Sequence, residues 1–276
     1  MIEIHNLSFS YKKTSVFSDI SLTFREGRIY GLLGENGVGK TTLLKLICGL
    51  QRPTHGTCTI DGVTSHLRLP SMLKRIAILP DELTLPDGGT PQLFVDELRP
   101  FYPNFAEASF LHLMQELEVE PYRKFKEMSF GQQKKSLIAA ALSLGTDYVL
   151  LDEPTNGLDI PSKSQLRSIL SKCADEYRTI LISTHQVKDV ENLLDTVVIL
   201  NNHAVLLNAD VQRIAEKLYF EYGGAHREDA LYSEMMPGGY MNVTVNTDGE
   251  ESQINFEALF NAVLRNKQQI KELFAL

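Results

Sequence analysis

The hydrophobic pattern of the chain predicts strands of two kinds. Apolar and polar residues alternate over 2–10 and over 20–24, which predicts two half-buried strands near the amino end. Other runs are apolar at almost every position, which is typical of parallel strands buried on both faces. These runs occupy 29–33, 148–152 and 179–183. The pattern therefore favours an α/β fold with a parallel sheet at its centre.

Helical spacing dominates the middle of the chain, over about 91–125. Four apolar side chains there fall on one helical face. They are Phe110, Leu113, Met114 and Leu117. Asn104 and Glu107 have the spacing of an N-cap residue and its capping partner. We predict an α-helical subdomain over about 85–145, inserted between strands of the sheet.

The last part of the chain changes in charge and pattern. Residues 220–276 carry nine acidic and four basic side chains, and they contain one strand-like and one helix-like stretch. We predict a main domain over 1–218, followed by a small α+β appendage over 219–276. No motif in this appendage indicates a role.

Composition narrows the class of protein. The chain has 276 residues, of which 43% are hydrophobic and 22% charged, as is ordinary for globular proteins. A net charge of −8 argues against a dedicated nucleic-acid binder, so no nucleic acid is expected as a partner. The spacing of the three cysteines predicts neither a disulfide framework nor a zinc site. No apolar run reaches 18 residues, so we expect no membrane-spanning segment.

A phosphate-binding motif follows the first apolar run. Residues 34–41 read Gly-Glu-Asn-Gly-Val-Gly-Lys-Thr, which fits G-x-x-x-x-G-K-[ST] between a predicted strand and a predicted helix. Glycines let backbone amides turn toward an anion, Lys40 adds a positive charge for the terminal phosphates, and Thr41 offers a hydroxyl to Mg²⁺. We predict a nucleoside triphosphate site. Its expected nucleotide contacts are Gly34, Asn36, Gly37, Gly39, Lys40, Thr41 and Thr42.

Two acids and a histidine supply the chemistry that such a site needs. Asp152 and Glu153 end the apolar run at 148–152, and His185 follows the run at 179–183. Carboxyl ends of parallel strands gather at one crevice. We expect Asp152 and Thr41 to hold Mg²⁺, Glu153 to orient or deprotonate the attacking water, and His185 to bond the γ-phosphate. Hydrolysis is the predicted reaction, with Lys40, Glu153 and His185 as the catalytic residues.

Taken together, the motifs resemble those of ABC transporter nucleotide-binding domains over roughly residues 1–218. They match in order and spacing at 34–42, 129–132, 148–154, 157–159 and 183–185. The resemblance implies a P-loop NTPase fold with a mixed, mainly parallel central sheet, an N-terminal antiparallel β subdomain and an inserted α-helical subdomain. It also implies that Tyr11 stacks on adenine and that ATP and Mg²⁺ are the cofactors.

The same resemblance implies a head-to-tail homodimer that forms on ATP binding. Each ATP would lie between the phosphate-binding loop of one chain and Ser129, Gly131 and Gln132 of the other. The turn at 157–159 would link the two sites.

Two positions depart from the family pattern. The family's Leu-Ser-Gly-Gly-Gln reads Met-Ser-Phe-Gly-Gln over 128–132, so Phe130 replaces a glycine and either strains close approach or points outward. Asp81 stands where the family places a glutamine that senses Mg²⁺ and touches the membrane partner. Asp81 either adds negative charge near the phosphates or binds the metal, and we include it among the expected metal ligands.

The function that the sequence favours is the ATP-hydrolysing subunit of an ABC transporter. It would lie peripherally on the cytoplasmic face of a membrane, docked on a separate transmembrane permease. The loop at 83–90 and the helix region beginning at Asn104 would form the docking groove. Two alternatives stay open: a soluble ABC-type ATPase or regulator that moves no solute, and an ATP-binding module with little turnover.

Overall fold

The computed structural model describes residues 1–82, 84–86 and 88–275. Its strands are β1 (Ile2–Tyr11), β2 (Thr14–Phe24), β3 (Ile29–Leu33), β4 (His55–Ile60), β5 (Val63–Thr64), β6 (Ile76–Leu79), β7 (Tyr148–Asp152), β8 (Thr179–Thr184), β9 (Thr196–Asn201), β10 (Ala204–Asp210), β11 (Leu218–Tyr222), β12 (Tyr232–Met236) and β13 (Gly239–Val245). Its helices are α1 (Lys40–Ile47), α2 (Pro70–Leu73), α3 (Pro91–Leu98), α4 (Glu107–Glu116), α5 (Phe130–Ser143), α6 (Ile160–Cys173), α7 (Val211–Lys217), α8 (Phe256–Arg265) and α9 (Lys267–Phe274). Within the described residues, none of the helices combines the length and the apolarity needed to cross a bilayer.

The central sheet has the strand order β10-β9-β3-β8-β7-β6. Strands β9, β3, β8, β7 and β6 are parallel, and β10 pairs antiparallel with β9. Every residue of β3, β7 and β8 is buried, as the continuous apolar runs predict. The register sets Leu33 beside Thr184 and Asp152 beside Ser183, so the segments that follow β3, β7 and β8 meet at one edge.

A second, antiparallel sheet has the order β2-β1-β4-β5 and covers one side of α1. Its inward side chains alternate along β1 and β2, and they share an apolar cluster with Leu43, Leu44 and Ile47 of α1. The predicted mixed, mainly parallel central sheet and the N-terminal antiparallel sheet are both confirmed.

The helical region lies between β6 and β7 and contains α3, α4 and α5. The helical stretch predicted over about 91–125 contains two helices, α3 and α4, because α3 ends at Leu98 and a 3₁₀ turn containing Pro100 follows. The predicted Asn104 cap is wrong: Ala106 is the N-cap of α4, and the Asn104 amide donates to the carbonyl of Gly145. Of the predicted 83–90 loop, Leu83 and Asp87 lie outside the described residues.

The C-terminal part of the chain forms a third sheet, β11-β13-β12, with α8 and α9 beside it. The amphipathic faces of both helices join the apolar cluster that begins in the central sheet. Polar contacts join the two parts as well: Lys267 donates to Asn201 at 3.1 Å, and Arg213 donates to the carbonyl of Phe274 at 2.8 Å. The division after residue 218 stays a prediction.

The α4 core contact predicts a stability difference between two neighbouring residues. Phe110 is fully buried, whereas Leu111 is 36% exposed. Phe110→Ala should lower the free energy of unfolding by about 3–5 kcal/mol, since it leaves a cavity. Leu111→Ala should change it by much less. Urea unfolding of both variants checks this, and equal losses would contradict the packing described.

Candidate functional site

The loop between β3 and α1 is shaped by two glycines with left-handed backbones. Gly37 has φ +81° and Gly39 has φ +111°. A side chain on Gly39 would also meet Phe17 and Val16 at 2.8 Å. Gly39 is the N-cap of α1, so the loop runs directly into the helix start, where free amides attract an anion.

Lys40 is buried at the start of α1 and bonds back to its own loop. Its Nζ donates to the carbonyl of Gly34 at 2.8 Å and to that of Glu35 at 3.3 Å. The third partner is the Glu153 carboxylate, with Oε1 3.3 Å from Nζ. An ammonium with only 6% exposure needs such partners, because its burial is otherwise costly.

Glu153 lies between Lys40 and His185. Besides Lys40, it contacts His185, whose Nδ1 lies 3.0 Å from Oε2. Its backbone has φ +46°, a conformation that non-glycine residues adopt rarely and that clusters at functional sites. The structure thus brings Lys40, Glu153 and His185 together from segments that follow three neighbouring strands.

Asp152 and Thr41 offer oxygen ligands of the kind that Mg²⁺ prefers. Asp152 is buried and accepts a hydrogen bond from the Ser183 hydroxyl, whereas Thr41 is exposed at the loop. Within the described residues, no group of three or more His, Cys, Asp or Glu side chains is placed to hold a metal. One hydroxyl and one carboxylate suit an ion that keeps several waters and binds phosphate oxygens. The donor set therefore fits Mg²⁺ bound together with a nucleotide.

Comparisons with known proteins agree with this geometry. The family model described as ABC transporter matches residues 17–156. The ABC transporter ATP-binding protein YtrB of Bacillus subtilis is 32% identical over 79% of this chain and 74% of its own length. An uncharacterised ABC transporter ATP-binding protein of Methanocaldococcus jannaschii is 30% identical, over 94% of this chain and 95% of its own.

The chain belongs to the ABC transporter family. A solved ATP-binding subunit of an ABC transporter superposes with a TM-score of 0.70 at 26% identity, covering 78% of this chain and 91% of the other. A dimeric ATP-binding cassette bound to ADP and phosphate shares the fold, with a TM-score of 0.67 at 21% identity over 76% and 99% of the two chains. The predicted P-loop NTPase fold and the resemblance on which it was based are confirmed.

The ABC signature segment lies at the start of α5 and is separate from the Lys40–Glu153–His185 group. Ser129 is the N-cap, and its hydroxyl accepts from the Gln132 amide at 3.3 Å while the Gln132 side chain accepts from the Ser129 amide at 3.1 Å. Gly131 lies between them and is half-buried. In the described part of the chain these bonds are made within the segment, which leaves the helix start facing outward.

Two further residues complete the description of the ABC motifs. Tyr11 ends β1 with 43% exposure and packs edge-on against Phe9, so one ring face is open. Hydrogen bonds from Ser162 hold the pKa of the Asp159 carboxyl below its usual value, and Asp159 thereby caps α6. The adenine contact of Tyr11 stays a prediction.

The two departures from the family pattern lie near one another. Asp81 is ion-paired with Lys134 at 3.0 Å, so its predicted role at the metal stays a prediction. Phe130 is 47% exposed, and its ring packs so closely on Gly157 that a side chain there would come within 2.6 Å of it.

The sequence patterns did not identify Ser183, Asn156 or Lys134 as residues that support the candidate site. Ser183 holds both acids: its hydroxyl donates to Asp152 and accepts from the Glu153 amide at 3.2 Å. The available signal was its position two residues before the candidate His185. For Lys134, the available signal was a pair of adjacent lysines, Lys134 and Lys135, just before the apolar part of a predicted helix.

Ser183 provides a test of how the acids are held. Ser183→Ala should lower the kcat of ATP hydrolysis by about tenfold with little change in KM, because a hydrogen bond to a charged group is worth about 1.5–3 kcal/mol. Ser143→Ala is the matched control, since this buried hydroxyl bonds only within its helix, to Ala140. Steady-state kinetics measures both, and equal kcat values for the two variants would contradict this role.

Proposed function

We propose that this chain is the ATP-binding and ATP-hydrolysing subunit of an ABC transporter, dependent on Mg²⁺ and docked on a separate membrane-spanning subunit. The observation that supports this most is the placement of Glu153 between Lys40 and His185. A carboxylate beside the loop lysine is where a base for water attack on a terminal phosphate is needed.

Lys40 has to change partners for the nucleotide to bind. Its three contacts are carbonyl and carboxylate oxygens, and phosphate oxygens of ATP would replace them as partners for the same ammonium. Glu153 would then be released toward the attacking water, which it orients and from which it accepts a proton. His185 contacts Glu153 through Nδ1. Its Nε2 bonds to the Gln186 side chain at 3.1 Å, and the phosphate would replace Gln186 as the partner of this nitrogen.

Mg²⁺, when bound, would neutralise charge that develops on the phosphate oxygens. Thr41 would hold it directly, and Asp152 would hold its water shell. Ser183 keeps the Asp152 carboxylate in place for this role.

A head-to-tail homodimer completes the site. Ser129 and the Gly131 amide lie at the start of a helix, where Ser129 is exposed, and a second chain would use these donors to bind the phosphate. The ATP-binding cassette solved with ADP and phosphate is itself dimeric. ATP would thus act as the ligand that favours the closed dimer.

The docking face that we propose for the membrane subunit is a groove beside α3 and α5. A groove of about 210 Å³ there is lined by apolar side chains. They include Leu79, Leu85, Phe94, Leu98, Leu137 and Leu144. We propose that a helix of the permease fills this groove, which places the chain peripherally on the cytoplasmic face. Asn104 does not cap the helix region as predicted, although it lies near the end of α5.

Glu153→Gln tests the catalytic assignment. The variant should bind ATP and lose at least about a hundredfold in turnover, because the amide does not accept the proton. It should also form a stable dimer with Mg-ATP, seen as a shift in size-exclusion elution. Glu216→Gln is the matched control, since this exposed carboxylate lies on α7 and accepts from Gln212. Normal hydrolysis by Glu153→Gln would remove this residue from the catalytic role.

Co-purification tests the transporter assignment. The tagged chain, expressed from its natural genomic context, should bring down an integral membrane protein from detergent-solubilised membranes. Phe94→Glu in the groove should abolish that capture while soluble Mg-ATPase activity stays. Retention on nucleic acid or ribosomes, without a membrane protein, would instead support the regulator alternative.

A further inference from the structure

Lys134 is a buried ammonium that the motifs do not account for. It lies on α5 and has no solvent exposure. Its Nζ donates to the Glu153 carbonyl oxygen at 2.5 Å and to Asp81 Oδ1 at 3.0 Å. Burial of a charge is costly unless it is paired and hydrogen-bonded, so these two acceptors are what keep it inside.

The bonds of Lys134 are part of a closed polar network. Asp81 Oδ1 also accepts from the Asn156 side chain at 3.4 Å, and the Asn156 amide donates to the same Glu153 carbonyl at 3.1 Å. The four residues come from the segments after β6, at the start of α5, and after β7. The network therefore joins the helical region to the catalytic acid.

Phe130 covers this network on the outer side. Its ring centroid lies 5.6 Å from the Lys134 Nζ, within range of a cation–π interaction. The same ring packs on Gly157, one residue beyond Asn156. Both departures from the family pattern, Asp81 and Phe130, therefore contact one lysine.

The network holds the backbone of Glu153 from one side, and β8 holds it from the other. The Glu153 amide donates to the Ser183 carbonyl at 3.0 Å, while its carbonyl accepts from Lys134 and Asn156. A left-handed backbone at a glutamate persists only where the surroundings hold it. Because the side-chain direction follows from this backbone, the bond from Lys134 bears on where the carboxylate points.

We propose that Lys134 is a positioning residue for Glu153 and that Asp81 is the counter-ion of Lys134, not a ligand of magnesium. This rests on the proposed ATP hydrolysis, since the group being positioned is its base. Asp81 and Phe130 then form one compensating set with Lys134: the carboxylate neutralises the ammonium and the ring shields it.

Lys134 is fully buried and Asp81 is partly exposed, so thermal unfolding can test their ion pair without a measurement of turnover. Asp81→Asn leaves a fully buried ammonium without its counter-ion, whereas Lys134→Gln leaves a carboxylate that is 36% exposed and can be hydrated. Asp81→Asn should therefore lower Tm by several degrees and more than Lys134→Gln does. The double variant should regain at least half of the loss, and equal additive losses would overturn the pairing.

Kinetics tests the positioning role. Lys134→Gln should lower kcat by about tenfold or more, with KM for ATP within about twofold of wild type, since misplacement of the base affects the chemical step. Lys135→Gln is the matched control: this neighbouring buried lysine donates to Ser162 and Gln165 on α6. It should lower Tm and keep kcat. Unchanged kcat in Lys134→Gln would overturn the proposal.

Magnesium titration separates the two roles of Asp81. Asp81→Asn should leave the Mg²⁺ concentration for half-maximal ATPase within about twofold of wild type. Loss of a group that holds the metal would raise it much more, since mutation of even an outer-shell partner typically costs about 10- to 100-fold in metal affinity. A rise of tenfold or more would make Asp81 a ligand and overturn its assignment as counter-ion. If the wild-type chain hydrolyses ATP no faster than Glu153→Gln, the proposed hydrolysis is overturned. If the wild type is active and Lys134→Gln is equally active, only the positioning role of Lys134 is overturned.

Discussion

The attraction between the Lys40 ammonium and the Glu153 carboxylate is the interaction on which the site depends. Both groups are nearly excluded from solvent, and they lie 3.3 Å apart. Neither would be stable there alone, because a buried charge without a partner is strongly destabilising. His185 also contacts the Glu153 carboxylate, and two loop carbonyls accept hydrogen bonds from the Lys40 ammonium. The site is thus held ready by contacts that a triphosphate can replace.

The parallel sheet makes that attraction possible. Strands β3, β7 and β8 lie side by side, so the loop, the acids and the histidine leave the sheet at the same edge. Ser183 adds a side-chain tie between β8 and β7, which holds Asp152 and the amide of Glu153. Packing of the apolar strands therefore determines where these charged groups lie, although the groups themselves are located only at or after the strand ends.

Two positions that depart from the family pattern lie at the same edge. A carboxylate at position 81 and an aromatic ring at position 130 each look unfavourable when they are considered separately. Around Lys134 they become complementary, since one supplies the negative charge and the other covers the ammonium. This network also connects the signature helix with the turn after Glu153.

The sequence by itself determined the features that depend on neighbours along the chain. Apolar runs predicted β3, β7 and β8, and the contiguous loop with its flanking strand and helix identified Lys40 and Thr41, because backbone conformation and glycine spacing are local properties. Only the tertiary structure decided the rest. Asn104 looked like a cap but bonds to Gly145, and Lys134 finds Asp81 across 53 positions of sequence. Packing between distant segments determines such partners. A local sequence pattern does not indicate which acceptor the fold will bring within about 3 Å of a donor.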